Sequence, residues 1–159
     1  MTDSSIRPNS APIEWADPAR ALLFAQPLCK TSAEHALAPA SLALASADAS
    51  FRRYFRVQTQ DGSSRIIMDA PLEKENSEPF VRIAQLFAQA GLQVPQVLAW
   101  DEANGFMLLN DLGAHTMMSA LDPSAPQAAL PLYQKAIYSL VQLQLASQEQ
   151  QLPAYDEAL

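Results

Sequence analysis

The spacing of apolar residues changes at Pro39 from a helical period to a period of two. Helices are therefore predicted before this residue and strands after it. Asp17-Pro18 is typical of a helix start and precedes the apolar run ALLFA. Thr31 and Glu34 have capping-box spacing, which predicts a second, short helix to about Ala38. Pro39 is expected to end that helix, because proline disfavours helical backbone before it.

Three segments after Pro39 alternate apolar and polar residues, as half-buried strands do. They are SLALAS (41–46), YFRVQT (54–59) and RIIMD (65–69). Asp61-Gly62 is a strong turn signal between the second and the third. The short connections predict an antiparallel meander.

A helical period returns in EPFVRIAQLFAQA, which Asn76 or Ser77 is expected to cap and Gly91 to end. Its apolar stripe consists of Phe80, Ile83, Ala84, Phe87 and Ala90. Next, VPQVLAW (94–100) and FMLLN (106–110) predict a hairpin with Asn104-Gly105 at its tip.

The last long element is a helix predicted from about Ala125 to Ser147, with Pro131 in its first turns. One face of it carries Leu130, Tyr133, Ile137, Leu140 and Val141. The order of helix, three strands, helix, two strands and helix indicates the α+β class.

Composition narrows the protein class. The chain has 159 residues, 49% of them hydrophobic, which is enough for a domain with a core. Its net charge of −7 argues against a general nucleic-acid partner. The single cysteine, Cys29, excludes an internal disulfide framework. The absence of a long apolar run or a signal-peptide pattern predicts a cytoplasmic protein with no membrane partner.

Cationic and aromatic residues are concentrated in DASFRRYFRV (48–57), which has three arginines in an otherwise acidic chain. With this segment, IIMDAP followed by EKEN, and GLQVPQVLAWDEANGFMLLNDLG resemble the aminoglycoside phosphotransferase-like superfamily. The SFRRYFR and MDAP pieces are similar to its bacterial branch of N-acetylmuramate/N-acetylglucosamine anomeric kinases. The resemblance runs from about Ser41 to Leu159.

The resemblance implies a protein-kinase-like N-terminal lobe. Such a lobe has a five-stranded antiparallel sheet, one helix between strands 3 and 4, and flanking N- and C-terminal helices. The expected organisation is a loosely ordered terminus (1–16), a small ATP-binding lobe (17–121), and a linker helix (122–159) towards a missing catalytic lobe. The apolar face of the last helix and the underside of the 106–110 strand would face that lobe, and both are expected to be exposed without it.

In this fold the loop between the first two strands covers the nucleotide phosphates, and protein kinases place glycines there. Here no glycine lies between Pro39 and Asp61. The resemblance implies that Ser46, Ser50, Arg52 and Arg53 substitute, because hydroxyls and guanidinium groups bind phosphate well. The alternative is that the arginines only border a strand and keep it soluble.

Kinases of the superfamily usually carry a lysine on the third strand, paired with an acidic residue of the following helix. Met68 occupies that place here. Glu75 and Glu78 are then free to cap the helix. Lys74 or an arginine near residue 50 is expected to take the phosphate role.

LLNDLG resembles the hinge that follows the fifth strand of kinases. The resemblance places Leu109 as gatekeeper and directs the Asn110 carbonyl and the Leu112 N–H towards adenine, with Asp111 in the same set. The side chains expected to sandwich the adenine ring are Leu44, Ile66 and Leu112. The alternative is a plain strand end with an Asp-Leu-Gly turn.

The sequence contains no His-Gly-Asp catalytic loop and no metal-binding aspartate in such a context. No catalytic residue and no metal ligand are therefore assigned to this sequence. Whether these 159 residues are active on their own stays open. ATP is the expected cofactor, with Mg²⁺ and the amino sugar bound by the missing lobe. The alternatives are a lobe of another aminoglycoside- or choline-type kinase, and a non-catalytic interaction module; a continuing reading frame with His-Gly-Asp would favour a kinase.

Overall fold

A computed structural model describes residues 34–47, 51–148 and 151–152, with the side chains of Ser46 and Ala47 excepted. The predicted helix at Asp17, the N-terminal segment and Ser50 lie outside these residues. The described chain divides into two compact units. The first comprises residues 34–78 and 95–112, and the second comprises residues 79–94 and 113–152.

The first unit is a five-stranded antiparallel sheet with the order β1-β2-β3-β5-β4. Its strands are β1 (Leu37–Ala47), β2 (Arg53–Thr59), β3 (Ser64–Asp69), β4 (Val97–Asp101) and β5 (Phe106–Asn110). Helix α1 (Glu78–Gln89) connects β3 to β4, and α2 (Leu130–Ala146) follows the sheet. The predicted α+β class, with one helix between the third and fourth strands, is confirmed.

One face of the sheet forms the hydrophobic core of the first unit. Residues that pair across strands share a face, so the row Phe55, Ile67 and Leu108 points to one side. The buried cluster on that side consists of Leu37, Phe55, Val57, Ile67, Phe106 and Leu108. Complete burial of Phe55 and Val57 follows from the alternation of YFRVQT.

The predicted helix up to Ala38 is wrong at its end. The helical turn at Glu34 and His35 stops at Ala36, which has a φ of +52°. Leu37 and Ala38 then pair with β2, so Pro39 lies within β1 rather than after a helix. The strand tolerates this proline because β1 is at the sheet edge and its register shifts between Ala38 and Ala43.

The turn between β2 and β3 is held by Asp61, as the Asp-Gly signal predicted. Its Oδ1 accepts hydrogen bonds from the Thr59 hydroxyl and from the backbone N–H and hydroxyl of Ser63. These bonds stabilise the carboxylate and lower the pKa of Asp61 to about 2.

The β4–β5 hairpin places Gly105 where no other residue fits. Its N–H donates to the Asp101 carbonyl at 2.9 Å, and its carbonyl accepts from the Ala70 N–H at 2.9 Å. Gly105 has a φ of +73°, and a Cβ there would lie 2.2 Å from the Ala70 oxygen. The hairpin tip therefore packs directly on the backbone that follows β3.

Gly105→Ala is expected to lower the free energy of unfolding by about 3 kcal/mol, combining left-handed backbone strain with the clash against Ala70. Gly62→Ala is the matched control, because Gly62 also has a positive φ but nothing lies within 4 Å of its missing Cβ. The control should cost only about 1 kcal/mol. Urea denaturation of both variants measures the difference, and equal losses would contradict the close approach.

In the second unit, α1 has the predicted ends, whereas α2 begins at Leu130 rather than near Ala125. The Asn76 Oδ1 accepts the Glu78 N–H at 3.0 Å and caps α1. Gly91, with a φ of +79°, ends it, while the Leu92 N–H donates to the Phe87 carbonyl. A short 3₁₀ turn, Pro126–Ala129, precedes α2, whose first turn contains Pro131.

The last turns of α1 and α2 line a cavity of about 230 Å³. Ile83 and Phe87 of the predicted α1 stripe belong to its lining, opposite Leu143 and Ala146. Part of the stripe therefore faces this cavity, and no residue of α1 is buried. Within the described part of the chain, no helix is long and apolar enough to cross a membrane.

Candidate functional site

The end of β5 forms the predicted hinge segment, and Asn110 is anchored there by its own side chain. Its Oδ1 accepts the Gln96 N–H at 2.7 Å, and its backbone N–H donates to the Gln96 carbonyl at 3.2 Å. Leu109, the expected gatekeeper, is buried. The Asn110 side chain thus supports the start of β4 and leaves any ligand contact to backbone atoms.

Asp111 holds the segment after β5 to two other strands. Its carboxylate accepts both Nε and Nη2 of Arg56, at 2.6 and 3.0 Å. The Ser64 hydroxyl donates to the same carboxylate at 2.6 Å. The hydrogen bond to Asp111 raises the pKa of Arg56, against a smaller opposing effect of burial. The two side chains form a planar, two-point ion pair.

Arg56 lies on the face of the sheet opposite the core. It pairs in register with Ile66 of β3, which pairs with Leu109 of β5, so these three residues form one row. The hinge, a half-buried Ile66 and the Arg56–Asp111 pair are therefore brought together at one end of the sheet.

Two of the apolar residues expected to sandwich a ring have large exposed surfaces. Leu44 of β1 is 56% exposed and Leu112, just after Asp111, is 48% exposed. Ile66 is half-buried. Leu44 pairs with Phe55 and shares the core face, whereas Ile66 pairs with Arg56 on the opposite face. The strand register therefore does not bring Leu44 and Ile66 to one side of the sheet.

Arg53 and Asp69 form an ion pair across β2 and β3. The Arg53 Nη2 donates to the Asp69 Oδ2 at 2.7 Å, and the Asp69 side chain is 0% exposed. Both residues lie in a row with Phe106. The carboxylate of MDAP is thus a buried partner for an arginine of SFRRYFR.

Arg52 connects the loop before β2 to the connector after β3. Its Nη2 lies 3.1 Å from the Glu75 Oε2 and donates to the Asn76 carbonyl at 3.3 Å. The Phe51 N–H donates to the other Glu75 oxygen, and the Lys74 Nζ lies 5.4 Å from the centre of the Phe51 ring. Glu75 therefore orders this loop, whereas Asn76 caps α1.

Met68 fills the position of the usual strand-3 lysine with a buried apolar side chain. It lies between Tyr54 and Met107 in the register of the sheet and is fully buried. The nearby arginines lie elsewhere: Arg52 directly precedes β2, and Arg53 is the first residue of β2. Which cation takes the phosphate role stays a prediction.

Of the two serines predicted to contact phosphate, Ser46 lies in β1 opposite Tyr54. Ser50 lies outside the described residues. Ser46 therefore lies on the strand next to that of Arg53, whose pairing partner is Ala47.

Sequence reasoning missed two side chains of this region, Arg56 and Ser64. Arg56 was assigned only to the alternation of its strand. That alternation was a usable signal, because it places Arg56 on the face opposite Phe55 and Val57. No local signal identified Ser64, whose role depends on a contact 47 residues away in sequence.

The carboxylates around the candidate site are paired with arginines. Within residues 34–47, 51–148 and 151–152, no three His, Cys, Asp or Glu side chains come together as metal ligands. The nearby carboxylates of Asp69, Glu75 and Asp111 are each engaged by an arginine.

Helix α2 exposes a broad apolar surface, as predicted. Its exposed large side chains are Leu130, Tyr133, Ile137, Tyr138, Leu140, Val141 and Leu145, the last being 82% exposed. The prediction for the 106–110 strand is wrong, since Phe106 to Leu109 are all buried. β5 is an inner strand between β3 and β4, and its apolar residues pack on both faces.

The 159-residue polypeptide is expected to self-associate as its concentration rises, because a contiguous apolar surface favours burial. Ile137→Glu should shift association to higher concentration. Gln144→Glu adds the same charge at an exposed polar position of α2 and should leave association unchanged. Sedimentation velocity measures this; a monomer at every concentration would contradict the expectation.

Comparison with known proteins gives consistent matches. The model of the phosphotransferase enzyme family matches residues 41–159. The N-acetylmuramate/N-acetylglucosamine kinase of Pseudomonas aeruginosa is 48% identical over 121 residues, covering 76% of this chain and 35% of that protein. The kinase of the same name from Neisseria meningitidis serogroup B is 47% identical over 116 residues, covering 72% of this chain and 34% of that protein. That of Pseudomonas putida is 44% identical over 119 residues, covering 75% and 34%. The chain spans about a third of the length of these curated relatives.

Proposed function

The chain belongs to the phosphotransferase enzyme family, and on this basis we propose that it is the ATP-binding lobe of an amino-sugar kinase. The acceptor is the anomeric hydroxyl of N-acetylmuramate or N-acetylglucosamine. The observation that carries the proposal is the 44–48% identity to three kinases of that name, over 116 to 121 residues. A role in recycling cell-wall sugars in the cytoplasm follows from these substrates.

The residues present fit a bound adenine nucleotide. The segment after β5 offers the Asn110 carbonyl and the Leu112 N–H as backbone partners for the adenine edge. Leu112 supplies exposed apolar surface for the ring, and Ile66 lies half-buried on the face of the sheet opposite the core. Leu44 pairs with Phe55 and therefore lies on the other face. Because backbone atoms make the polar contacts, side-chain identity in the hinge is free to serve the fold.

The phosphates are assigned to the loop before β2. Arg52 and Arg53, which pair with Glu75 and Asp69, each carry a guanidinium group with five N–H donors, and such groups bind phosphate oxygens well. Ser46 and Ser50 complete the proposed set. The carboxylates then orient the arginines while the arginines bind the nucleotide.

The chemistry of transfer requires a second lobe. The bond between the γ-phosphorus and the β–γ bridging oxygen breaks, a bond to the sugar's anomeric oxygen forms, and the hydroxyl proton passes to a base. We place that base, the Mg²⁺ ligands and the sugar site in a further domain. Residues 17–121 form the small lobe in this proposal, and residues 122–159 lead to that domain.

The test is turnover by the full-length protein with ATP and Mg²⁺. ADP should be released from ATP when either N-acetylmuramate or N-acetylglucosamine is the acceptor. Phosphorus NMR of the product should show the phosphate coupled to the anomeric proton. Kanamycin and choline are the matched acceptors for the alternative kinase classes. Turnover with those acceptors alone would refute the sugar assignment, and no ATP consumption with any acceptor would favour an interaction module.

A further inference from the structure

The carboxylate of Asp111 is fully engaged by the sheet. One oxygen accepts Arg56 Nη2, and the other accepts both Arg56 Nε and the Ser64 hydroxyl. These three hydrogen bonds connect β2, β3 and the segment after β5. The Asp111 side chain is only 7% exposed and that of Arg56 is 28% exposed. We infer that Arg56, Asp111 and Ser64, here called the hinge clamp, position the backbone that binds the nucleotide base.

The clamp fixes the orientation of the Asp111 and Arg56 side chains as well as the distance between them. A guanidinium fork on a carboxylate forms two parallel hydrogen bonds, which restrict rotation of both side chains. The Ser64 hydroxyl adds a third bond from another strand. The Cα of Asp111 is consequently held against β2 and β3, although it lies beyond the last residue of β5.

This restraint acts on the proposed adenine contacts because Asp111 lies between them. Asn110 precedes it and is itself held by Gln96. Leu112 follows it, and the next residue is Gly113, with a φ of +104°. The two backbone groups proposed for adenine thus lie on either side of the residue that accepts three side-chain hydrogen bonds.

The clamp changes the role expected for Asp111. Both of its oxygens already accept hydrogen bonds within the protein, so it is a positioning residue rather than a ligand of the nucleotide. A preorganised hinge lowers the ordering cost of binding, and that gain appears in the affinity for ATP.

Because this inference rests on the proposed function, it is tested first without nucleotide. In the full-length protein, Asp111→Asn should speed hydrogen exchange of the neighbouring Asn110 amide, which donates to the Gln96 carbonyl. Asp101→Asn is the matched control, since Asp101 also accepts hydrogen bonds with both oxygens, from Asn104 at the far end of the hairpin. Equal exchange of the Asn110 amide in the wild type and Asp111→Asn would overturn the clamp.

The kinetic test separates positioning from general damage. Asp111→Asn should raise KM for ATP about tenfold and leave KM for the sugar within about twofold, as expected when a charge-assisted hydrogen bond is lost. Arg56→Lys keeps the charge but loses the fork, and should give a smaller rise. Asp101→Asn should keep the wild-type KM for ATP.

The outcomes distinguish the two proposals. If the wild type consumes no ATP with any sugar, the proposed function fails, and unchanged amide exchange would remove the clamp separately. If the wild type is active and Asp111→Asn keeps its KM for ATP, only the clamp is refuted. Should Asp111→Asn fail to fold, Ser64→Ala removes one hydrogen bond and should raise KM for ATP about two- to threefold; an unchanged KM there also refutes it.

Discussion

Replacing Arg52 and Arg53 together by alanine in the full-length protein is expected to lower kcat/KM for ATP about tenfold to hundredfold. A lost charge-assisted contact to phosphate costs about 1.5–3 kcal/mol, which corresponds to that range. Initial rates at varied ATP and saturating sugar measure the effect. Arg82→Ala removes one positive charge from an exposed position of α1 and should leave kcat/KM unchanged.

The single variants should behave differently, because the two arginines have different surroundings. Arg53 donates to Asp69, which is completely buried, whereas the Glu75 partner of Arg52 retains 13% exposure. Arg53→Ala should therefore also lower the free energy of unfolding by about 2–3 kcal/mol, and Arg52→Ala by less than 1 kcal/mol. Thermal denaturation separates this loss of stability from the loss of nucleotide use.

Asn110→Ala is the complementary variant. It should cost about 1 kcal/mol of stability through the lost bond from Gln96, and it should barely change KM for ATP because the carbonyl remains. A silent Arg52/Arg53 double variant together with a severe loss of ATP affinity in Asn110→Ala would show that the nucleotide site is misplaced.

Residues 1–159 alone are expected to transfer no phosphate to N-acetylmuramate above a buffer control. Transfer depends on a positioned base and on metal ions that neutralise the developing charge. The sequence has no His-Gly-Asp loop and no candidate metal pair in a catalytic context. Radiolabelled ATP with chromatography of the sugar phosphate gives the required sensitivity.

The matched control for that experiment is the full-length protein at the same concentration of active lobes. Mixing residues 1–159 with the separately produced remainder should restore some turnover if the two parts associate. Reproducible turnover by residues 1–159 on their own would disprove the assignment of the catalytic groups to another domain.

The sheet and its connecting helix were predictable because their signals are local. Alternation places Phe55 and Val57 in the core, and the Asp61-Gly62 and Asn104-Gly105 turns set the hairpin ends. The prediction failed at Pro39, where a local helix-ending preference was overridden by pairing of Leu37 and Ala38 with β2. Edge position decided that outcome, and edge position is a property of the assembled sheet.

By itself, the sequence determined the α+β class, the order of the five strands with α1 and α2, and the phosphotransferase family, since periodicity and short motifs carry that information. Only the tertiary structure decided which charges meet. Arg52 joins Glu75, Arg53 joins Asp69, and Arg56 joins Asp111, at separations of 23, 16 and 55 residues. Such pairs depend on strand register and on loop paths. The sequence around each residue does not indicate which distant residue it will contact.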